Sequence, residues 1–305
     1  MKKVALSVAA LALTAGSALA ADLPSRKGPP VLPPPPPPAP LWTGFYVGLN
    51  AGGTWASSNA INTVGYPIFS NGSAGGVQAL PVSAALASSS LSANSGGFIG
   101  GGQIGYNWQF YNRFVVGVEA DIQGIAGSSN NVSGVGIANT SINGPLVSIS
   151  SARRNIDYIG TVRGRLGWLA TPTLLLYGTG GLAYAGVTLN SSVFQQFTVN
   201  PVGNVGNAYF SNAAFSDTRV GWTAGGGVEW MFWPNWSAKV EYLYYDLGNV
   251  TVAQNALVNV GQVAAVGNFT GVAPQTTTRF NGHIVRAGLN YHFNWGAPAP
   301  IVAKY

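Results

Sequence analysis

The chain has 305 residues, of which only 7% are charged and 42 are glycine. That is too apolar for a disordered chain and too glycine-rich for a helical one. No run of eighteen apolar residues occurs, which excludes helical membrane spans but not a β-barrel, whose alternating strands are individually weakly hydrophobic. The formal charge of +6 falls to +4 once Lys2 and Lys3 leave with a cleaved leader. No Lys/Arg cluster follows Lys27 beyond the pair Arg153-Arg154, so no nucleic-acid partner is expected, since that would need a concentrated basic patch. The chain has no cysteine, which is compatible with export.

Residues 1–20 have the three parts of a secretory signal. Lys2 and Lys3 are the positive start, Val4 to about Ala15 the apolar stretch, and Ala18-Leu19-Ala20 the cleavage site. That apolar stretch is too short to anchor in a bilayer, and no cysteine follows it for a lipid anchor. Residues 21–41 form a spacer with consecutive prolines from Pro33 to Pro38. Such a run adopts polyproline II and acts as a semi-rigid periplasmic tether, or as a docking strip for the cell wall or a periplasmic protein.

From Trp42 on, two-residue alternation recurs in eight segments: 44–56, 98–110, 114–123, 156–168, 173–189, 217–232, 237–247 and 281–293. In 98–110, Phe98, Ile104, Tyr106, Trp108 and Phe110 share one face, and Gln103, Asn107 and Gln109 the other. In 114–123, Phe114, Val116, Val118, Ala120 and Ile122 oppose Glu119, Asp121 and Gln123. In 156–168, Tyr158, Val162, Leu166 and Trp168 oppose Asp157, Thr161, Arg163 and Arg165. In 217–232, Val220, Trp222, Val228, Trp230 and Phe232 oppose Arg219, Thr223 and Glu229. Segment 173–189 is ambiguous, because both parities carry Leu and Tyr.

The connections alternate in length. Asn112-Arg113, Ala170-Thr171-Pro172 and Trp233-Pro234-Asn235-Trp236 are tight turns, whereas 57–97, 125–154, 190–216 and 248–280 are long and rich in Ser, Asn, Gly and Ala. The reading is all-β: an eight-stranded antiparallel transmembrane barrel over residues 42–293, with short periplasmic turns, long extracellular loops and a tail at 294–305. Trp42, Trp108, Phe110, Tyr111, Phe114, Trp168, Trp230, Phe232, Trp233, Trp236, Tyr291 and Phe293 fall at the short-turn ends. They read as the girdle at the membrane boundary.

A lipocalin-like barrel would hold apolar residues inside and charges outside. A charge facing mid-bilayer lipid costs about 2–4 kcal/mol, so here the charged face must be the lumen. By parity Glu119, Asp121, Arg163, Arg165, Arg219, Glu229, Lys239, Glu241 and Arg286 point inward. They read either as an ion-pair network that fills the barrel or as the lining of a small pore. Eight strands leave room for little more than their own side chains, which favours the plug. Counting from the short turns pairs Arg163 or Arg165 with Glu119, and Arg286 with Glu241.

Leu41-Trp42-Thr43-Gly44-Phe45-Tyr46-Val47-Gly48-Leu49-Asn50, Gly160-Thr161-Val162-Arg163-Gly164-Arg165-Leu166-Gly167, Tyr177-Gly178-Thr179-Gly180-Gly181-Leu182-Ala183-Tyr184 and the segment from Lys239 to Gly248 carry a resemblance. Over 42–293 the chain resembles the small outer-membrane β-barrel proteins of alphaproteobacteria, the porin-like or outer-membrane immunogenic protein family. The resemblance implies surface-exposed loops and a role in envelope integrity and in contact with a host or environment. It implies no catalytic residue. The alternation Val285, Ala287, Leu289, Tyr291, Phe293 also resembles the terminal signal read by the barrel-insertion machinery, although residues 294–305 follow it.

Gly100-x-Gly102-x-x-Gly105 matches a dinucleotide fingerprint on paper, but that motif needs a helix after its strand. Within an alternating strand, glycine more naturally lets a narrow barrel bend. A hydrolytic site needs an oriented histidine. His283 and His292 lie on opposite faces of the last strand with no acid at i±2, so neither catalysis nor metal binding is expected. No cofactor is expected. The expected partners are outer-membrane lipid and the insertion machinery during assembly, with the spacer open to contact with the cell wall or a periplasmic protein. The function read from the chain is a structural and surface-interaction barrel, and a narrow passive channel for small solutes is the alternative.

Overall fold

The computed structural model describes residues 41–70, 74–127, 131–140, 144–198, 208–259 and 270–293. The leader at 1–20, the spacer up to residue 40 and the tail at 294–305 lie outside the described residues. In chain order the elements are β1 (Gly44–Ala56), β2 (Ala60–Ser70), α1 (Ala74–Ala87), β3 (Ser89–Ser92), β4 (Gly96–Phe110), β5 (Phe114–Gly127) and β6 (Val132–Thr140). They continue as β7 (Gly144–Thr171), β8 (Leu174–Phe197), β9 (Ala208–Trp233), β10 (Trp236–Ala253), β11 (Val258–Asn259) and β12 (Thr270–Phe293).

Eight of these strands form an antiparallel ring in the order β1, β4, β5, β7, β8, β9, β10, β12, closed by pairing of β12 with β1. Closure leaves no free edge in the membrane, where an unpaired peptide group has no water to turn to. The tight turns lie at one end, here called the lower end. At two of them Asn112 and Asn235 take positive φ (57° and 92°), a conformation that asparagine tolerates better than most residues.

The outer wall of the ring is apolar between two aromatic belts. Trp108, Tyr111, Phe114, Trp168, Trp230, Trp233 and Trp236 are exposed at the lower belt. A second belt, which the sequence reading did not mark, holds Trp55, Phe98 and Trp222. Phe45 and Trp55 bracket the two belts on β1, ten residues apart. At about 3.3 Å per residue and a tilt near 40°, that separation is about 25 Å, the height of the apolar band of an outer-membrane barrel.

Trp42 departs from the expected girdle. It is fully buried, with its indole N–H donating to Pro172 O at 3.0 Å. Together with Val115, Leu169, Leu175, Tyr177 and Met231 it forms an apolar floor to the lumen. Trp42 precedes β1, so strand parity does not bind it and its ring folds under the barrel.

β7, β8, β9 and β12 have 28, 24, 26 and 24 residues, roughly twice the length that crosses a bilayer. The long connections thus carry ladder structure of their own. β2 pairs with the upper half of β12, β3 with β2, β6 with the upper half of β7, and β11 with β9. This upper storey stands above the second belt. Outside the membrane neither face of a strand must be apolar, so its Ser, Thr, Asn and Gly residues show little hydrophobic alternation.

The lumen is layered. Above the floor lie the strand charges. Above those is an apolar layer that includes Ile99, Ile159, Val187, Leu189, Leu243 and Phe280. Near the top, Ala79, Ala84 and Ala87 of α1 pack against Leu146, Val193, Phe197 and Val272. β8 explains its own ambiguity here. Leu175, Ala183, Ala185, Val187 and Leu189 face apolar lumen layers, while Leu176 and Leu182 face outward.

Candidate functional site: the charged layer of the lumen

The ladder register brings the charges together. Glu119 on β5 lies directly across from Arg163 on β7, Glu241 on β10 from Arg286 on β12, and Glu229 on β9 from Lys239 on β10. All point inward and none is more than 5% exposed, as is also true of Asp121 and Arg165. The four carboxylates and four cations named here balance formally.

Arg163 is the hub. Its Nη1 donates to Glu241 Oε1 and its Nη2 to Asp121 Oδ2, both at 2.9 Å, and Nη2 also bonds Glu119. Its Nε donates to Thr161 Oγ1 at 2.9 Å. Arg286 donates from Nε and Nη2 to Glu241 Oε2, at 2.8 and 2.6 Å, and from Nη2 to Asp121 Oδ2 at 2.9 Å. Lys239 Nζ reaches both oxygens of Glu119 at 2.9 Å. Arg165 Nη2 holds Glu229 Oε2 at 2.6 Å, and its guanidinium lies 4.0 Å from the centre of the Tyr177 ring. Buried charges persist only when paired and hydrogen-bonded in this way.

Neutral groups that the sequence reading did not assign complete the layer. Tyr46 O–H donates to Glu119 Oε2 at 2.6 Å, and Tyr177 O–H to Glu241 Oε1 at 3.1 Å. Ser237 O–H and Asn290 Nδ2 donate to Glu229 Oε1 at 2.5 and 2.7 Å. Tyr46 could have been found, because its parity is that of Gly48, Asn50 and Thr54. Tyr177 could not, because both faces of β8 read as apolar. Small residues make the room. A Cβ on Gly105 would sit 2.7 Å from Tyr46 Cε1, so glycine there admits the ring. The Gly100-x-Gly102-x-x-Gly105 motif lies inside β4 and is followed by β5, not by the helix that a nucleotide site requires.

Arg219 does not belong to this layer. It sits in the upper storey, half-buried, with Nη2 donating to Asn249 O at 3.2 Å. Its parity is inward as expected, but its depth is not. The β9–β10 ladder ends at Trp222 and Asp246, below Arg219, so Arg219 spans the space between diverging strands.

His292 faces the lower lumen and His283 the outer wall. Glu229, the acid missing at i±2, approaches His292 from β9, two strands away in the ring. His292 Nε2 lies 2.8 Å from Ser237 Oγ and 3.4 Å from Glu229 Oε1. Serine and carboxylate thus address the same ring nitrogen, so the carboxylate does not hold the far side of the ring as a catalytic triad requires. Among the described residues no cluster of three His, Cys, Asp or Glu could hold a metal. Val285, Leu289 and Tyr291 are exposed on the outer face of β12, and Phe293 pairs in register with Phe45.

A closed eight-stranded ring with an apolar wall between two aromatic belts and a charge-filled lumen defines a bacterial outer-membrane β-barrel. Residues 7–293 match the family described as outer membrane protein beta-barrel domain, and the chain belongs to that family. It is 35% identical over 300 residues to the 31 kDa outer-membrane immunogenic protein of Brucella melitensis, covering 96% of this chain and 100% of that one. It is 32% identical over 148 residues to a 22 kDa outer membrane protein of Rhizobium leguminosarum, covering 48% of this chain and 52% of that one. Similarity to solved structures is weaker. The outer membrane protein OprG of Pseudomonas aeruginosa aligns with 82% of this chain and 97% of its own, at 10% identity and a TM-score of 0.39.

Proposed function

We propose that this protein is a sealed barrel of the outer membrane that strengthens the envelope, holds its upper storey outside the cell for contact with a host or environment, and passes no solute. The observation that carries this reading is that ion pairs span the lumen from wall to wall. Arg163 of β7 meets Glu241 of β10, Lys239 of β10 meets Glu119 of β5, and Arg286 of β12 meets Asp121 of β5, each at 2.9 Å. A ring this narrow needs little more to close it. The apolar layer and α1 above the charges support the same reading, and the immunogenic name of the Brucella relatives fits an exposed upper storey.

Export would remove residues 1–20, with cleavage near Ala20. We infer from the even number of strands that the spacer 21–41 and the tail 294–305 belong to the periplasmic side, that of the short turns. There the spacer can reach the cell wall or a periplasmic protein. The barrel-insertion machinery would read the outward alternation from Val285 to Phe293. No catalytic role is proposed for Ser237, His292 and Glu229, which lie buried in the lower lumen, Glu229 as a member of the charged layer.

The decisive experiment is single-channel recording of purified protein in planar bilayers. The sealed reading expects no steady current. Steady conductance at the level of a water-filled pore would replace it with a narrow passive channel. Protease added to intact cells should cut the connections β8–β9 and β10–β12 and spare the spacer. Cleavage only after the outer membrane is opened would reverse the orientation.

A further inference from the structure

Arg154 breaks the pattern set by the other buried cations. It is 2% exposed and sits on β7 four residues above Tyr158, beyond the charged layer and against the apolar one. Its guanidinium lies 5.6 Å from the centre of the Phe280 ring. Nε and Nη2 donate to Ser95 Oγ at 3.1 and 2.7 Å, and Nη1 to Thr278 Oγ1 at 3.3 Å and Arg279 O at 3.1 Å. Every one of these acceptors is neutral.

The whole chain has only 8 acidic residues, so each can be accounted for. Asp22 lies outside the described residues. Glu119, Asp121, Glu229 and Glu241 are taken by Arg163, Arg165, Lys239 and Arg286. Asp246 pairs with Arg279 on the outer wall. Asp157 is exposed and accepts from Asn155 at 2.6 Å, and Asp217 is exposed beside its own strand. The connections between the described segments from residue 71 to 269 contain no Asp or Glu. Arg154 is therefore a buried positive charge without a carboxylate partner among the described residues. Hydrogen bonds to hydroxyls and a carbonyl satisfy its N–H groups but leave its charge uncompensated.

Beside Ser95, on which two of these bonds converge, is a space larger than one water needs. Ser95, Thr54, Asn155, Ile156 and Tyr245 help line a hollow of about 20 Å³, against the roughly 10–15 Å³ that one water needs. Ser95 Oγ accepts from two guanidinium nitrogens, so its own proton is free to donate to a further acceptor. We propose that Ser95, held by the Arg154 guanidinium behind it, binds one small monovalent anion, of chloride size, which supplies the missing counter-charge inside the upper barrel.

The test uses the whole protein purified in detergent. Thermal unfolding is followed by circular dichroism while sodium bromide replaces sodium gluconate at constant ionic strength. The expected result is a saturable rise in Tm for the wild type and none for Arg154→Gln. Ser95→Ala should raise the bromide midpoint about tenfold, the worth of one charged hydrogen bond. Crystals of the wild type grown in bromide should show one anomalous peak beside Ser95, a result that needs no variant to fold. An equal response in Arg154→Gln would mean that salt acts elsewhere. A wild-type crystal without the peak would mean that the hollow holds water. Either outcome overturns the proposal.

Discussion

The lower lumen and the upper storey fill the same tube with different chemistry. Below, four carboxylates and four cations lock together, and each charge depends on its partners. Above, buried neutral groups pass hydrogen bonds around the wall. Thr63 and Ser191 each lie 2.9 Å from the Thr276 hydroxyl, and Gln254 Nε2 donates to Ser191 Oγ at 2.7 Å. Ser83 of α1 donates to Gln195 Oε1 at 2.5 Å. The difference shows what each storey must withstand. Flanked by lipid, the lower ring can afford no unmatched charge, and long Arg, Lys and Glu side chains fill it from wall to wall. The upper ring is free of lipid, and there short hydroxyls and a helix of small residues suffice.

That contrast can be broken first in the lower layer. Glu241→Ala leaves Arg163 and Arg286 without one of their carboxylates and should cost about 3–5 kcal/mol, read as lost unfolding free energy in urea. An unchanged transition would mean that the charged layer adds nothing to stability. Exchanging the charges, with Glu241→Arg and Arg286→Glu together, should recover only part of the loss, because the new guanidinium would also face Arg163. In the upper storey Gln195→Ala removes three bonds, to Ser83 Oγ, Ser83 O and Ser148 Oγ. It should cost about 1–3 kcal/mol and expose α1 to protease. If it costs as much as Glu241→Ala, the two storeys do not differ as described.

Smaller effects sharpen the boundary. Trp42→Phe keeps most of the ring volume in the floor but loses the bond to Pro172 O, at about 1 kcal/mol. A girdle residue in lipid would show a smaller change. Phe293→Ala, on the outer face, should alter stability by no more than about 0.5 kcal/mol while slowing insertion into membranes. Deleting residues 294–305 should leave assembly intact. Loss of assembly on that deletion, with Phe293→Ala silent, would move the signal into the tail.

The contrast also separates what was legible from what was not. Strand parity turned Glu119, Asp121, Arg163, Arg165, Glu229, Lys239, Glu241 and Arg286 inward, because a bilayer forbids the other face. Parity says nothing of depth, which is why Arg219 was grouped with them. It also fails beyond the strand, where Trp42 folds under the ring, and on β8, where both faces are apolar. The partners of His292 on β9 and β10, and the cross-ring partner Glu241 of Arg163, could not be read from local spacing, since they lie on strands distant in sequence.

By itself the sequence determined the ring. Its period of two, its alternation of short and long connections and its placement of charge opposite apolar residues each follow from burying strands in lipid. Only the tertiary structure decided which charge meets which, that the long connections build a second storey closed by α1, and that Arg154 stands apart from every described acid. Those outcomes depend on curvature and ladder register around a closed ring, which bring together residues that no window along the chain contains.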